Sequence, residues 1–282
     1  MRSKSLPLKS DVKLLAIDMD GTLLDDRKQI SRENKEAIRQ AYHQGVHIVL
    51  CTGRPKSGIM PYIQELGLDD DYVIANNGSW LFKSSDWSTL RSHQLSRENL
   101  IYLTDVFDNE EDINLVFFTK EANYALGQKL YPAAVRDAEM ENSQLYHVTL
   151  DEFLSLDIPV VVAIFMAEES ILDAFQHRVD GQLVKDKDFM TVRSVDYAYE
   201  ALPFGVHKGR GLTDLAKDLD IGLEHVMVLG DGHNDLEMFD IAGLAVAMEN
   251  AADSVKQKAT AMTLSNNHSG VAAAINRFIL TK

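Results

Sequence analysis

The chain has 282 residues and a formal net charge of −15, a balance that speaks against a basic face for nucleic acid. Hydrophobic residues make up 45%, too many for global disorder. The length exceeds the usual single domain of roughly 100–150 residues, and the single cysteine, Cys51, leaves no intrachain disulfide.

Met1–Lys13 carries basic residues but no apolar h-region, so no signal peptide is expected. The longest apolar run elsewhere, Val160–Ala167, is too short for a bilayer. The expected compartment is the cytoplasm. Leu14–Ile17 predicts a short buried strand. Ser31 is a candidate N-cap for a helix ending at Gln44, with Gly45 as its stop. Val46–Cys51 predicts a second strand, Ser57–Leu66 a helix and Tyr72–Ala75 a third strand that ends in the turn signal Asn76-Asn77-Gly78. This alternation points to a parallel sheet covered by helices.

From Trp87 onward the pattern changes. Residues 96–108 read as an amphipathic helix. Ile113–Phe118 and Tyr124–Leu126 read as paired strands, Val160–Met166 as a strand and Glu168–Val179 as a helix. Thr191–Val195 and Tyr197–Leu202 suggest two more strands. After Pro203-Phe204-Gly205 the first pattern resumes: a helix over Gly209–Asp218, strands at Val226–Leu229 and Leu244–Ala247, and helices at Leu236–Ala242, Ala251–Thr260 and Val271–Leu280. The expected fold is α/β, a Rossmann-like parallel-sheet core (1–86 and 196–282) with an inserted α+β cap (87–195).

Four acidic residues fall just past two predicted strands: Asp18, Asp20, Asp231 and Asp235. In open parallel sheets, ligands bind outside those strand ends. Asp18 and Asp20 leave an extended segment on one face; at ~4 Å and an effective dielectric of ~20 they repel by about 4 kcal/mol. A divalent cation, a shared proton or a reaction would offset that cost. Hard oxygen ligands in small number suit Mg²⁺, and no Cys/His cluster suits zinc. Thr52-Gly53-Arg54 follows the second strand, with a hydroxyl and backbone N–H groups placed for an anion oxygen. Lys208 precedes the last core segment and could reach the same focus. Each feature alone has a plain structural reading: Asp-x-Asp as a turn, Lys208 as a solvated lysine, Arg54 as a helix-start surface residue. His207 and His233 read as loop residues, Cys51 as a buried strand end, and Trp80 and Trp87 as packing.

Taken in order, Asp18-Met19-Asp20-Gly21-Thr22, Thr52-Gly53-Arg54, Lys208 and Gly230-Asp231-Gly232-His233-Asn234-Asp235 resemble the four motifs of the haloacid dehalogenase superfamily. The spacing, and Asn76-Asn77-Gly78, resemble its Cof-type branch of sugar-phosphate and cofactor phosphatases. The resemblance implies that Asp18 is a nucleophile forming an aspartyl-phosphate and Asp20 a general acid/base. It implies Mg²⁺ held by Asp18, the Asp20 backbone carbonyl and Asp231, with Asp235 behind them. Phosphate would be held by Thr52, Gly53, Asn234 and Lys208. The expected partner is a small-molecule phosphate ester, with no nucleic acid and no membrane; monomer and homodimer both stay open. A phosphomutase using the same aspartyl-phosphate, and a non-catalytic metabolite-binding protein, are the alternatives.

Overall fold

The protein's computed structural model describes residues 12–108, 110–183 and 189–280. Most of the leader reading at Met1–Lys13 therefore lies outside the described residues. In chain order the structure runs β1 (Leu14–Ile17), α1 (Arg32–His43), β2 (His47–Cys51), α2 (Lys56–Leu66), β3 (Tyr72–Ala75), β4 (Trp80–Lys83) and β5 (Thr89–Ser92). The middle contributes α3 (Arg97–Phe107), β6 (Asn114–Phe118), β7 (Asn123–Leu126), α4 (Pro132–Met140), β8 (Leu145–His147), α5 (Leu150–Ser155), β9 (Val162–Met166), α6 (Glu169–Leu183), β10 (Phe189–Val195) and β11 (Ala198–Pro203). The last part holds α7 (Lys208–Asp218), β12 (Val226–Gly230), α8 (Leu236–Ile241), β13 (Leu244–Ala247), α9 (Asp253–Lys256), β14 (Ala261–Met262) and α10 (Gly270–Ile275).

These elements divide into two compact units: Met1–Gly53, Pro61–Arg91 and His207–Lys282 form the first, and Arg54–Met60 with Ser92–Val206 the second. The first unit is an α/β layer structure. Its sheet has the order β14-β13-β12-β1-β2-β3-β4-β5. The strands from β14 to β3 are parallel, and β4 turns back antiparallel on β3. Every residue of β1, β12 and β13 is buried, as expected of strands with both faces covered. Alternate residues take one face: Leu14 and Ala16, Val49 and Cys51, Val226 and Val228 pack against Leu212 and Leu215 of α7 and Met238 and Phe239 of α8.

Register is what builds a site here. Ile17 lies level with Leu229 on one side and Leu50 on the other. The chain therefore leaves the sheet at one edge three times over, as Asp18, as Gly230-Asp231 and as Cys51-Thr52. On the helix side, Ser31 caps α1 by accepting a hydrogen bond from the Asn34 N–H at 3.2 Å. Asn34, Ala37, Ile38 and Ala41 form its buried stripe.

The second unit is α+β. Its six strands order as β10-β11-β9-β6-β7-β8, antiparallel throughout except for the β7–β8 pair. That parallel pair needs a crossover, and α4 supplies it. Leu103 and Phe107 of α3, Phe153 of α5 and Phe175 of α6 pack on Leu115, Phe117, Phe165 and Tyr199 of the sheet.

The sequence expectation fails at Ala251–Thr260, where only Asp253–Lys256 is helical. Val255 is the one buried residue of that short helix. Beyond it the chain straightens, because the Thr260 N–H donates to the Ala245 carbonyl at 2.8 Å and Ala261–Met262 adds a strand to β13.

Candidate active site

Asp18 is the first residue past β1. Its N–H still bonds to the Leu229 carbonyl at 3.0 Å, so the strand ladder fixes its backbone. The residue is 5% exposed. Lys208, the first residue of α7, is fully buried, and its ammonium donates to Asp18 Oδ1 at 2.6 Å and to Asp235 Oδ1 at 2.7 Å. The other Asp235 oxygen accepts the N–H groups of Asp231 and Gly232 at 3.0 and 2.9 Å. Asp235 is thus the post that ties the loop after β12 to the start of α7.

Asp231 is half-buried. Its Oδ1 accepts the Thr22 hydroxyl at 2.8 Å. Asn250 donates to the Gly21 carbonyl at 2.8 Å and reaches Asp231 Oδ2 at 3.5 Å. Gly21 has a φ of +80, and a Cβ there would stand 2.3 Å from Asp231 Oδ2. Only glycine lets the loop after β1 approach this carboxylate so closely. Carboxylate oxygens of Asp18, Asp231 and Asp235 lie within 4.8 Å of one another.

Three carboxylates against one ammonium leave two negative charges in a nearly dry place. Burial pushes the Asp18 carboxyl up to about 8; Lys208 opposes this, and the charges of Asp235 and Asp231 add to it. Burial, with Asp235, also raises Asp231 against the pull of the Thr22 hydrogen bond and Lys208. Burial alone would lower Lys208, but the charges of Asp18 and Asp235 outweigh it and hold the ammonium charged. Asp18 and Asp231 therefore bind a proton more readily than free carboxyls, which partly relieves the surplus charge, and a bound cation would relieve it in the proton's place. An all-oxygen donor set with surplus charge fits a small hard divalent cation such as Mg²⁺.

Asp20 behaves differently. Its carboxylate is 39% exposed and pairs with the Lys28 ammonium at 2.6 Å. Lys28 sits in a tight turn at φ +60, with its N–H on the Asp25 carbonyl at 2.9 Å and the Tyr62 hydroxyl on its own carbonyl at 3.1 Å. Lys28 and Asn250 carry no signal in the sequence, since each reaches its partner only through the fold; Thr22 was visible as part of the first motif.

Thr52 is 1% exposed at the end of β2, with its N–H on the Ile74 carbonyl at 2.9 Å. Its own carbonyl accepts the Asn77 N–H at 3.0 Å. Asn234 is exposed and donates its amide to Asn77 Oδ1 at 3.2 Å. Gly53 also lies beside the Asn77 side chain. The structure thus joins Asp18, Lys208, Asp231 and Asp235 by direct contact, and links Thr52, Gly53 and Asn234 through Asn77. His207 caps α7, its Nδ1 accepting the Arg210 N–H at 3.1 Å. His233 meets Ser254 at 3.0 Å. Arg54 lies 3.6 Å from the Glu141 carboxylate. Cys51 is fully buried, and burial pushes its thiol up. No helix among the described residues is long and apolar enough to cross a membrane.

Known proteins share this arrangement of elements. A family model described as haloacid dehalogenase-like hydrolase matches residues 15–275. The chain is 35% identical over 274 residues to YxeH of Bacillus subtilis, covering 96% of this chain and 99% of that one. It is 32% identical over 270 residues to the 5-amino-6-(5-phospho-D-ribitylamino)uracil phosphatase YcsE of the same organism, covering 96% and 97%. A crystal structure of a haloacid dehalogenase-like hydrolase from Bacteroides thetaiotaomicron matches with a TM-score of 0.84 at 28% identity, over 94% of this chain and 99% of that one.

Proposed function

The chain belongs to the haloacid dehalogenase-like hydrolase family and is a phosphatase; from that premise we propose that it is Mg²⁺-dependent and hydrolyses small, soluble phosphate monoesters in the cytoplasm through an aspartyl-phosphate on Asp18. The observation that carries this reading is the fully buried Lys208 ammonium, 2.6 Å from Asp18 and 2.7 Å from Asp235. A carboxylate and a phosphate dianion repel each other, so attack requires cancelled charge and fixed orientation. Lys208 supplies both to Asp18 from one side.

In the first half-reaction an Asp18 carboxylate oxygen bonds to phosphorus in line with the leaving oxygen. The phosphorus–oxygen bond of the ester breaks, and Asp20, protonated and released from Lys28 at this stage, gives its proton to the departing alkoxide. In the second, Asp20 takes a proton from water, the water oxygen bonds to phosphorus, and the bond to Asp18 breaks to release phosphate. Thr52, Gly53 and Asn234 hold the non-bridging oxygens meanwhile. Asp18, the Asp20 backbone carbonyl and Asp231 would hold Mg²⁺, which supplies Lewis-acid charge neutralisation at the phosphoryl group. Asp235 acts behind them by fixing Lys208 and the Asp231 backbone.

Sugar phosphates and phosphorylated cofactor precursors are the proposed substrate class. YcsE, named for a phosphorylated ribitylamino-uracil, supports that class. The test is phosphate release from an aryl phosphate and from a panel of sugar and cofactor phosphates, each with Mg²⁺ and with chelator. The proposal expects release only with the metal, and faster turnover of at least one metabolite than of the aryl ester. Equal rates with chelator would refute metal dependence.

A further inference from the structure

The loop between β3 and β4 is built in an uncommon way. Asn76 and Asn77 both have left-handed backbones, with φ of 47 and 53, and Gly78 follows at 100. Side-chain-bearing residues avoid this region, although asparagine tolerates it better than most. The loop is closely fitted: a Cβ on Gly78 would stand 2.3 Å from the carbonyl of His207, the residue before Lys208. Asn77 itself bonds through its N–H to the Thr52 carbonyl at 3.0 Å. Its amide lies 3.3 Å from where a Gly53 Cβ would be, and its Oδ1 accepts an N–H of Asn234 at 3.2 Å. One side chain therefore meets Gly53 and Asn234, while its backbone meets Thr52.

The turn does not need that side chain. Glycine adopts a φ near +53 at less cost than asparagine. The terminal amide of Asn234, by contrast, needs direction, because its two ends have nearly the same shape and opposite polarity. A flipped amide would turn a lone pair, not an N–H, toward an anion. We propose that Asn77 is a positioning residue of the phosphate subsite: by accepting one N–H of Asn234 at Oδ1, it holds that amide with its second N–H available to a phosphate oxygen. This rests on the phosphatase reading and on Asn234 as a phosphate contact.

The test uses inorganic phosphate as a competitive inhibitor of aryl phosphate turnover at saturating Mg²⁺, together with thermal melting. Asn77→Gly should melt no lower than wild type, yet raise the phosphate inhibition constant roughly three- to tenfold, the worth of one hydrogen bond. Asn234→Ala should raise it at least as much, and adding Asn77→Gly to Asn234→Ala should change nothing further. Asn77→Asp keeps the backbone tolerance and the acceptor but brings a negative charge, so it should weaken phosphate more than Asn77→Gly at an unchanged melting temperature. An unchanged inhibition constant in Asn77→Gly, or full additivity with Asn234→Ala, overturns the inference while leaving the phosphatase reading intact. A wild-type protein that neither turns over the aryl ester nor binds phosphate overturns both.

Discussion

The core sheet carries a buried aspartate at each end, and the two are treated in opposite ways. Asp71 precedes β3 at the end where the parallel strands begin. Its two oxygens are each matched: Oδ1 lies 2.9 Å from His47 Nδ1, and Oδ2 accepts the Ile48 N–H at 2.6 Å. The Ser84 hydroxyl accepts its N–H at 2.8 Å. Asp18, at the end where the strands finish, shares one ammonium with Asp235 and stands near Asp231. Asp71 closes a local hydrogen-bond account within the fold. Asp18 leaves an open electrostatic one that only a ligand completes. Burial alone therefore does not mark a functional carboxylate; uncompensated like charge at the strand C-termini does.

Neutralising each aspartate in turn should separate the two ends most clearly. Asp18→Asn should cut turnover by about 10⁴-fold or more, as removal of a nucleophile does, while the melting temperature holds or rises because like-charge repulsion is relieved. A variant with near-wild-type turnover would contradict the nucleophile assignment. Lys208→Met leaves Asp18 and Asp235 buried without their shared cation. It should cost about 3–5 kcal/mol of stability by denaturant titration, the range for breaking a buried ion pair, and also abolish turnover. Asp71→Ala should lose about 1–3 kcal/mol by leaving buried donors unmatched, with kcat unchanged below the melting transition. A drop in kcat there would erase the distinction between the two ends.

The pH response sharpens the same contrast. Burial pushes the Asp71 carboxyl from 3.8 up to about 6, against the pull of the Ile48 N–H and His47. A raised carboxyl binds its proton more tightly folded than unfolded, so its contribution to stability is present below pH 3.8 and lost as pH rises through about 6. Subtracting the unfolding free energy of Asp71→Asn from that of wild type at each pH should show this decline. A flat difference would mean Asp71 has an ordinary carboxyl. The smallest effect is expected at Thr22→Val, which removes the hydroxyl from Asp231: Mg²⁺ affinity by calorimetry should fall about tenfold.

The functional strand ends were legible in the sequence because short apolar runs such as Leu14–Ile17 and Val226–Leu229 finish at chemically distinctive residues. Parallel register then does the rest, setting Ile17 level with Leu229 and Leu50. What stayed hidden has physical reasons. The helix over Pro132–Met140 buries only Ala133, Ala134 and Ala138, a stripe too weak to read as a period. The strands Trp80–Lys83 and Thr89–Ser92 are short, and the second is largely exposed, so no alternation marks it. The helix expected over Ala251–Thr260 gives way to the sheet edge, a tertiary choice that local propensity does not encode. Asn77 was visible as a turn residue and as part of a segment resembling the Cof-type branch; its link to Asn234, 157 positions away, exists only once β3 and β12 share a sheet.

Catalysis by this route requires a bond between an Asp18 carboxylate oxygen and phosphorus. Wild-type enzyme mixed with substrate, quenched within one turnover and treated with borohydride should yield homoserine at position 18 on peptide mapping, since an acyl phosphate is reduced there and a free carboxylate is not. Robust turnover with an unmodified aspartate at 18, or reduction at any other carboxylate, would contradict it.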